Sequence, residues 1–302
     1  VALQGISSLS ALINRLSGGN SGSPDNAFAW KVDLNTGATI DGTTVLADAQ
    51  IVGRWSSLWR YDGWPSAGAV PTTTITKPDG TTTGAIRQRI PSASEAMYMT
   101  GACAHMVQTG TLLVYDRLWS VGGLNATSTG TNTFATDNPS RRNSTTYGAR
   151  GKNSAYGNTM FVEIYDQIGT TLRELTVTYL YDGTNSTTSP AVVLGGTNAR
   201  ERGRVIPIPV NPDFPHPVQP KTATLNSSTG TAGNYGITLA RPLVAIPCAV
   251  ANVPVLIDLI ATDPGLIYCG GSPCLNFMWL ANSVTNPIPM MFNIQTVLGA
   301  DT

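Results

Sequence analysis

The sequence predicts an all-β protein: an antiparallel β-sandwich, jelly-roll-like, with a short N-terminal helix and extended N- and C-terminal arms. Three observations carry this expectation. Between Glu95 and Pro247 no strong helical period interrupts a succession of short runs rich in Val, Ile, Tyr and Thr. Those runs are punctuated by turn-forming clusters such as "IGTT", "DGTNSTTS" and "NPDFPHP". Strand after strand with short turns and no crossover helices suits two packed antiparallel layers, with an up-and-down barrel as the structural runner-up.

Residues 1–85 read as a helix followed by an extended arm. In the opening "VALQGISSLSALINRLSGG", Ile6, Leu9, Leu12, Ile13 and Leu16 share one helical face and Gly18-Gly19 ends it. The pattern lacks the basic region and long apolar core of a secretory signal. Residues 27–32 and 49–52 read as edge strands. The stretch "SLWRYDGWPSAGAVPTTTITKPDG" follows, crowded with aromatics and prolines. Proline fixes extended or turn geometry, and aromatic rings demand a surface to bury themselves on. Trp55, Trp59, Tyr61 and Trp64 are therefore the expected anchors of an arm that lies along a neighbour, with Leu9, Leu12 and Leu16 as further contacts.

Residues 86–247 read as the sandwich core. "EAMYMTGACAHM" and "TLLVYDRLW", separated by "VQTG", read as a hairpin. In the second, Leu113, Tyr115, Arg117 and Trp119 alternate with Leu112, Val114, Asp116 and Leu118, which places apolar groups on both faces of a central strand. The polar stretch from Asn125 to Asn158, containing Arg141 and Arg142, reads as a surface excursion. "NTMFVEIYDQ", "RELTVTYLY", "PAVVLGG", "GRVIPIPV", "PKTATLNSS" and "YGITLARPLVAIP" continue the strands. Residues 248–302 read as a C-terminal extension that completes a sheet through "LNFMWLA" and contacts neighbours.

Composition narrows the partners. Lys+Arg and Asp+Glu balance at 18 each, charged residues are 12% of the 302, and the sequence pI is about 6.9. That charge content is about half the roughly 25% typical of soluble domains. It leaves no electrostatic footprint for nucleic acid or an anionic membrane, and no stretch approaches the roughly 20 apolar residues of a membrane span. A net charge near zero favours association. The abundant Thr, Ser, Asn and Gly make neutral hydrogen bonds without burying ions, so a homo-oligomer is expected.

Catalytic and cofactor chemistry finds little support, and no cofactor or metal is expected. Of four glutamates, only Glu163 lies near another acid, Asp166, and a regular strand turns the two to opposite faces. Cys103 and His105 share a strand face, but a small buried hydrophobe and a partnered histidine near a hairpin end account for them better than a nucleophile and base. The cysteines Cys103, Cys248, Cys269 and Cys274 are too sparse for a disulfide scaffold. Cys269 and Cys274 bracket "GGSP" and could close a local disulfide, with free buried thiols as the default. Asp116, Arg117 and Arg241 lie in apolar strands, where a charge must be paired, and are the salt-bridge candidates.

"SLWRYDGWPSAGAVPT", "GTLLVYDRLWSVGGL" and "SSTGTAGNYGITLARPLVAIP", with the opening "ALQGISSLSALINRLSGGNSG", resemble a group of tailed-bacteriophage virion structural proteins of similar length. The resemblance follows their order along the chain and covers most of it. It implies a non-enzymatic capsid cement or decoration protein on the virion surface, assembled in the bacterial host cytoplasm. The implied partners are the major capsid protein and further copies of this chain, with a trimer favoured at local threefold positions. The competing expectation is a tail or fibre component with a carbohydrate- or receptor-binding β-sandwich.

Overall fold

The structure is a computed structural model and describes residues 26–31, 39–40, 43–44, 52–61, 63–88, 95–134, 157–181, 184–197, 200–261, 267–282 and 290–300. Among these residues the chain is all-β and contains no helix. The expected N-terminal helix, with Leu9, Leu12 and Leu16, lies outside the described residues.

The strands are β1 (Asn26–Lys31), β2 (Thr39–Ile40), β3 (Thr43–Thr44), β4 (Trp55–Ser57), β5 (Gly63–Trp64), β6 (Glu95–Met106), β7 (Gly110–Leu124), β8 (Gly130–Thr133), β9 (Thr159–Asp166), β10 (Arg173–Leu180), β11 (Ser186–Thr188), β12 (Val192–Leu194), β13 (Val205–Ile208), β14 (Gln219–Leu225), β15 (Asn234–Cys248), β16 (Val255–Asp258), β17 (Ile267–Gly270), β18 (Leu275–Ala281) and β19 (Met290–Ala300). The central sheet has the order β13-β9-β15-β7-β18-β4. A second sheet, β11-β10-β14-β8, carries β12 on β10; a third, β16-β6-β19-β1-β5, carries β17 on β6; β2 and β3 pair alone.

The two 15-residue strands β7 and β15 form the spine, paired antiparallel from Tyr235↔Leu124 to Cys248↔Gly110. One end of the spine packs under the third sheet: Leu112, Val114, Val244 and Ile246 join Met97, Met99, Ala102 and Ala104 of β6. Its other end packs under the second sheet, where Trp119, Val121, Ile237 and Leu239 meet Leu175, Val177, Ala223 and Leu225. A register shift opposite Leu239 and Ala240 makes this possible. It leaves Leu118 as an extra residue, so Leu118 and Trp119 both enter the second core. The strict alternation expected for this strand therefore holds only through Arg117. Pro242 and Pro247 sit in the half of β15 beyond Ala240, where β9 no longer pairs with it and one edge needs no proline N–H.

Several sequence expectations are corrected here. β6 and β7 are not a hairpin: β6 pairs with β16, β17 and β19, whereas β7 pairs with β15 and β18. The "VQTG" turn carries the chain between sheets, because each strand finds a longer partner elsewhere. Residues 26–31 are no edge strand, since β1 lies between β19 and β5. The polar stretch after Asn125 begins with β8, which pairs with β14; Arg141 and Arg142 lie outside the described residues. The run "LNFMWLA" is β18, which joins the central sheet between β7 and β4, and β19 pairs with both β1 and β6.

On the solvent side of the second sheet the register sets Thr188, Thr178, Thr222 and Thr133 in one row, with Thr176, Thr224 and Thr131 in the next. Hydroxyl pairs link Thr178 to Thr188 (3.1 Å) and Thr131 to Thr224 (2.9 Å). β-Branched neutral residues suit a pleated exposed face, which accounts for part of the low charge content.

Candidate functional site

The central sheet curls until its outer strands meet. Ser56 and Arg204 form an isolated antiparallel bridge, and the Ser57 amide donates to Gly203 O at 2.8 Å. The concave side is filled at one end by a polar centre built around Glu163, which reaches it from β9. Arg117 of β7 donates to Glu163 Oε2 at 2.5 Å, Tyr165 and Thr238 donate to the same oxygen at 2.7 Å, and Ser57 donates to Oε1 at 2.5 Å. Arg117 also donates to the Tyr165 hydroxyl at 2.9 Å and lies 4.5 Å from the centroid of the Trp59 ring.

Both ions are fully buried. Burial alone pushes the Glu163 carboxyl up, but Arg117 and the hydroxyls of Ser57 and Thr238 outweigh it and hold the group below the usual carboxylate range. Burial, with Glu163 beside them, drives the Tyr115 and Tyr165 phenols well above their ordinary value, so both stay protonated. A carboxylate saturated by four donors in a closed centre is a structural clamp: it joins β4, β7, β9 and β15 at one point.

The aromatic segment after β4 closes this centre. Trp59 packs with Val70, Ala85, Tyr165 and Cys274, and its indole N–H donates to Ala69 O at 2.8 Å. The segment is stitched to its own sheet by Leu58 N to Phe277 O (3.1 Å), Gly122 N to Thr72 O (2.8 Å), Thr76 N to Ser120 O (2.9 Å) and Ile86 N to Leu275 O (2.9 Å). Gly68 and Gly84 permit the close approach. A Cβ on Gly68 would lie 2.1 Å from Trp59 Cε2, and Gly84 has φ +96°. Gly68→Ala is expected to lower stability by about 1–3 kcal/mol through overpacking, read as a lower urea midpoint with an unchanged slope.

These positions correct the arm-anchor expectation for Trp59 and Tyr61. Trp59 and Tyr61 are buried in this chain's own core, so neither presents its ring to a neighbour. Trp55 is half-buried in β4, at the rim of the curled sheet. Trp64 lies in β5 opposite Trp30. The segment does lie along a surface, but the surface is its own central sheet: the open edges of β18 and β7 supply backbone groups that it pairs.

Among the salt-bridge candidates, Arg117 pairs with Glu163 rather than with its neighbour Asp116, because adjacent residues point to opposite faces. Asp116 instead accepts the Cys274 amide at 2.8 Å. Arg241 stands opposite Asp116 in the β15–β7 register. Cys269 and Cys274 are free thiols rather than a disulfide. They face different layers, Cys269 the core under the third sheet and Cys274 the cluster around Trp59. Cys103 and His105 are both half-buried on β6. The sequence sets Glu163 near Asp166, but the structure buries Glu163 and exposes Asp166; an acid inside the apolar run "MFVEIY" is the signal of a buried cation.

Among the described residues, two surfaces are open to partners. Four of the large apolar side chains that face solvent lie between residues 249 and 261: Val250 (59% exposed), Val253 (47%), Leu256 (64%) and Ile260 (71%). They flank or occupy β16, the outermost strand of the third sheet. The second surface is a groove of about 760 Å³ with Trp55, Arg54, Leu172 and Thr197 in its walls. Among the described residues no group of three His, Cys, Asp or Glu side chains is placed to hold a metal ion, and no helix is long and apolar enough to cross a membrane.

No protein-family model matches the chain, and no curated protein matches it. Among solved structures, a chain of "Structure of infectious bursal disease virus Gt strain" aligns at 12% identity with a TM-score of 0.14. The alignment covers 92% of this chain and 62% of that one, and a similarity this low carries no conclusion about fold or function.

Proposed function

We propose that this chain is a non-enzymatic structural protein of a tailed-phage virion, a cement or decoration protein that binds the capsid lattice. The observation that carries the reading is the apolar edge at β16, which no described strand pairs on its outer side. A sheet edge bearing Val250, Val253, Leu256 and Ile260 is the kind of surface that proteins ordinarily protect unless a partner covers it. It belongs to the C-terminal 248–302 segment, so the contact with neighbours is assigned there and not to the tryptophan segment. The layering of two sheets on a central one supports the sandwich, and non-consecutive neighbours such as β15 between β9 and β7 support a jelly-roll-like topology.

The partners in this reading are the major capsid protein and further copies of the chain. Cryo-electron microscopy of the parent particle tests it. Density on the shell with residues 249–261 against a neighbour is expected; density at a tail tip, or a bare β16 edge, overturns it. Leu256→Lys with Ile260→Lys is expected to abolish shell binding while leaving the circular dichroism spectrum and unfolding midpoint unchanged, because both side chains are exposed in the free chain. The groove beside Trp55 favours a second reading, a tail or fibre module that stacks a sugar on that ring. It predicts quenching of Trp55 fluorescence by glycan and loss of that response in Trp55→Ala.

A further inference from the structure

The curled central sheet is filled unevenly. One end holds the Glu163 centre and Trp59, whereas the other holds a hollow of about 230 Å³ to which every one of the six strands contributes: Trp55 from β4, Leu113 from β7, Phe161 from β9, Val205 from β13, Pro242 from β15 and Met278 from β18. The Tyr115 ring also lines it and meets Phe161 edge-on at 5.8 Å. The lining contains no charged residue. The ionic groups around it are already engaged: Arg117 and Glu163 are bound to each other and to hydroxyls, and Arg204 donates to Trp55 O and Ser56 Oγ at 3.4 Å.

Small barrels and tightly curled sheets are ordinarily filled by their own inward side chains. Here the inward positions of β15 are Ala240 and Pro242, side chains too short to reach across. We propose that this hollow is a binding site for a small uncharged apolar molecule, an aromatic of one ring or a fused pair such as benzene or indole. The volume is below the range of drug-sized sites, which restricts the ligand to about that size. A carboxylate or ammonium buried against this lining is disfavoured, because no charged residue of the hollow offsets its desolvation. The inference stands apart from the capsid reading, since it concerns the interior of the central sheet and not the β16 edge.

The test uses the full chain. Indole is titrated by calorimetry, with benzoate as the charged comparison, and crystals are pressurised with xenon, which occupies dry apolar cavities. Saturable indole binding, no benzoate binding and a xenon peak among Leu113, Phe161 and Met278 are expected. Ala240→Leu, which fills the hollow, is expected to weaken indole binding about tenfold or more, as loss of roughly one buried side chain does. Should that variant fail to fold, Met278→Ala enlarges the hollow and is expected to admit a three-ring aromatic such as carbazole, which the natural chain excludes. Absence of both indole binding and the xenon peak in the natural chain overturns the proposal, as does an equal response to indole and benzoate.

Discussion

Glu163→Gln is expected to lower the folding stability by about 3–5 kcal/mol, the scale observed when one partner of a buried ion pair is removed. The amide keeps the shape of the carboxylate but not its charge, so Arg117 stays buried without its counterion. The amide nitrogen also replaces an acceptor that Arg117, Tyr165 and Thr238, or Ser57, now use. Urea unfolding at neutral pH measures the loss. Arg117→Met combined with Glu163→Leu is expected to recover only part of it, because the hydroxyls of Ser57, Tyr165 and Thr238 lose their acceptor, at about 1–3 kcal/mol for each one left unsatisfied. A single variant as stable as the natural chain would remove the clamp from the account of this fold.

The same centre sets a pH dependence. The Glu163 carboxyl lies below its ordinary value in the folded chain, so its contribution is complete above the unfolded carboxylate range. That contribution is lost as pH falls through the folded value, where protonation breaks the pair with Arg117. Stability of the natural chain is therefore expected to decline on acidification below the ordinary carboxylate range. Glu163→Gln, which has no proton to gain there, is expected to decline less steeply over the same interval.

Trp59→Ala is expected to cost about 3–5 kcal/mol as a buried aromatic truncation, including the loss of a desolvated contact with Arg117 worth about 2 kcal/mol. Its effect should be local before it is global. Residues 59–85 are held on the central sheet by this ring, by Tyr61 and Ile75 and by a few backbone bonds, and loss of the ring loosens them first, opening the bond after Arg60 to trypsin while β7, β9 and β15 stay paired. Limited proteolysis with mass spectrometry reads the order of cleavage. Cleavage throughout the chain at one common rate would mean that the segment and the sheet unfold as a single unit. Trp59→Phe, which keeps a ring beside Arg117 but loses the bond to Ala69 O, is expected to fall between the two.

The all-β character is written in local sequence. Alternation in β10, where Leu175, Val177 and Tyr179 are buried, and the proline and glycine punctuation between strands are local properties, written in residue type and spacing. The same sequence also shows that Arg117 needs a partner and that the tryptophan segment must lie against something, since each follows from the cost of burying a charge or exposing rings. Tertiary structure alone decided which partner and which surface. Glu163 reaches Arg117 from 46 residues away, and Ser57 reaches Glu163 across 106. Pairings at such separations depend on how the sheets stack, about which neighbouring residues carry no information. The extra residue at Leu118, the closing bridge between Ser56 and Arg204 and the hollow beneath Pro242 have the same origin. Each exists because six strands from all parts of the chain curl around one interior, and the fit of side chains inside that curl is set by their mutual packing, which no single stretch of sequence encodes.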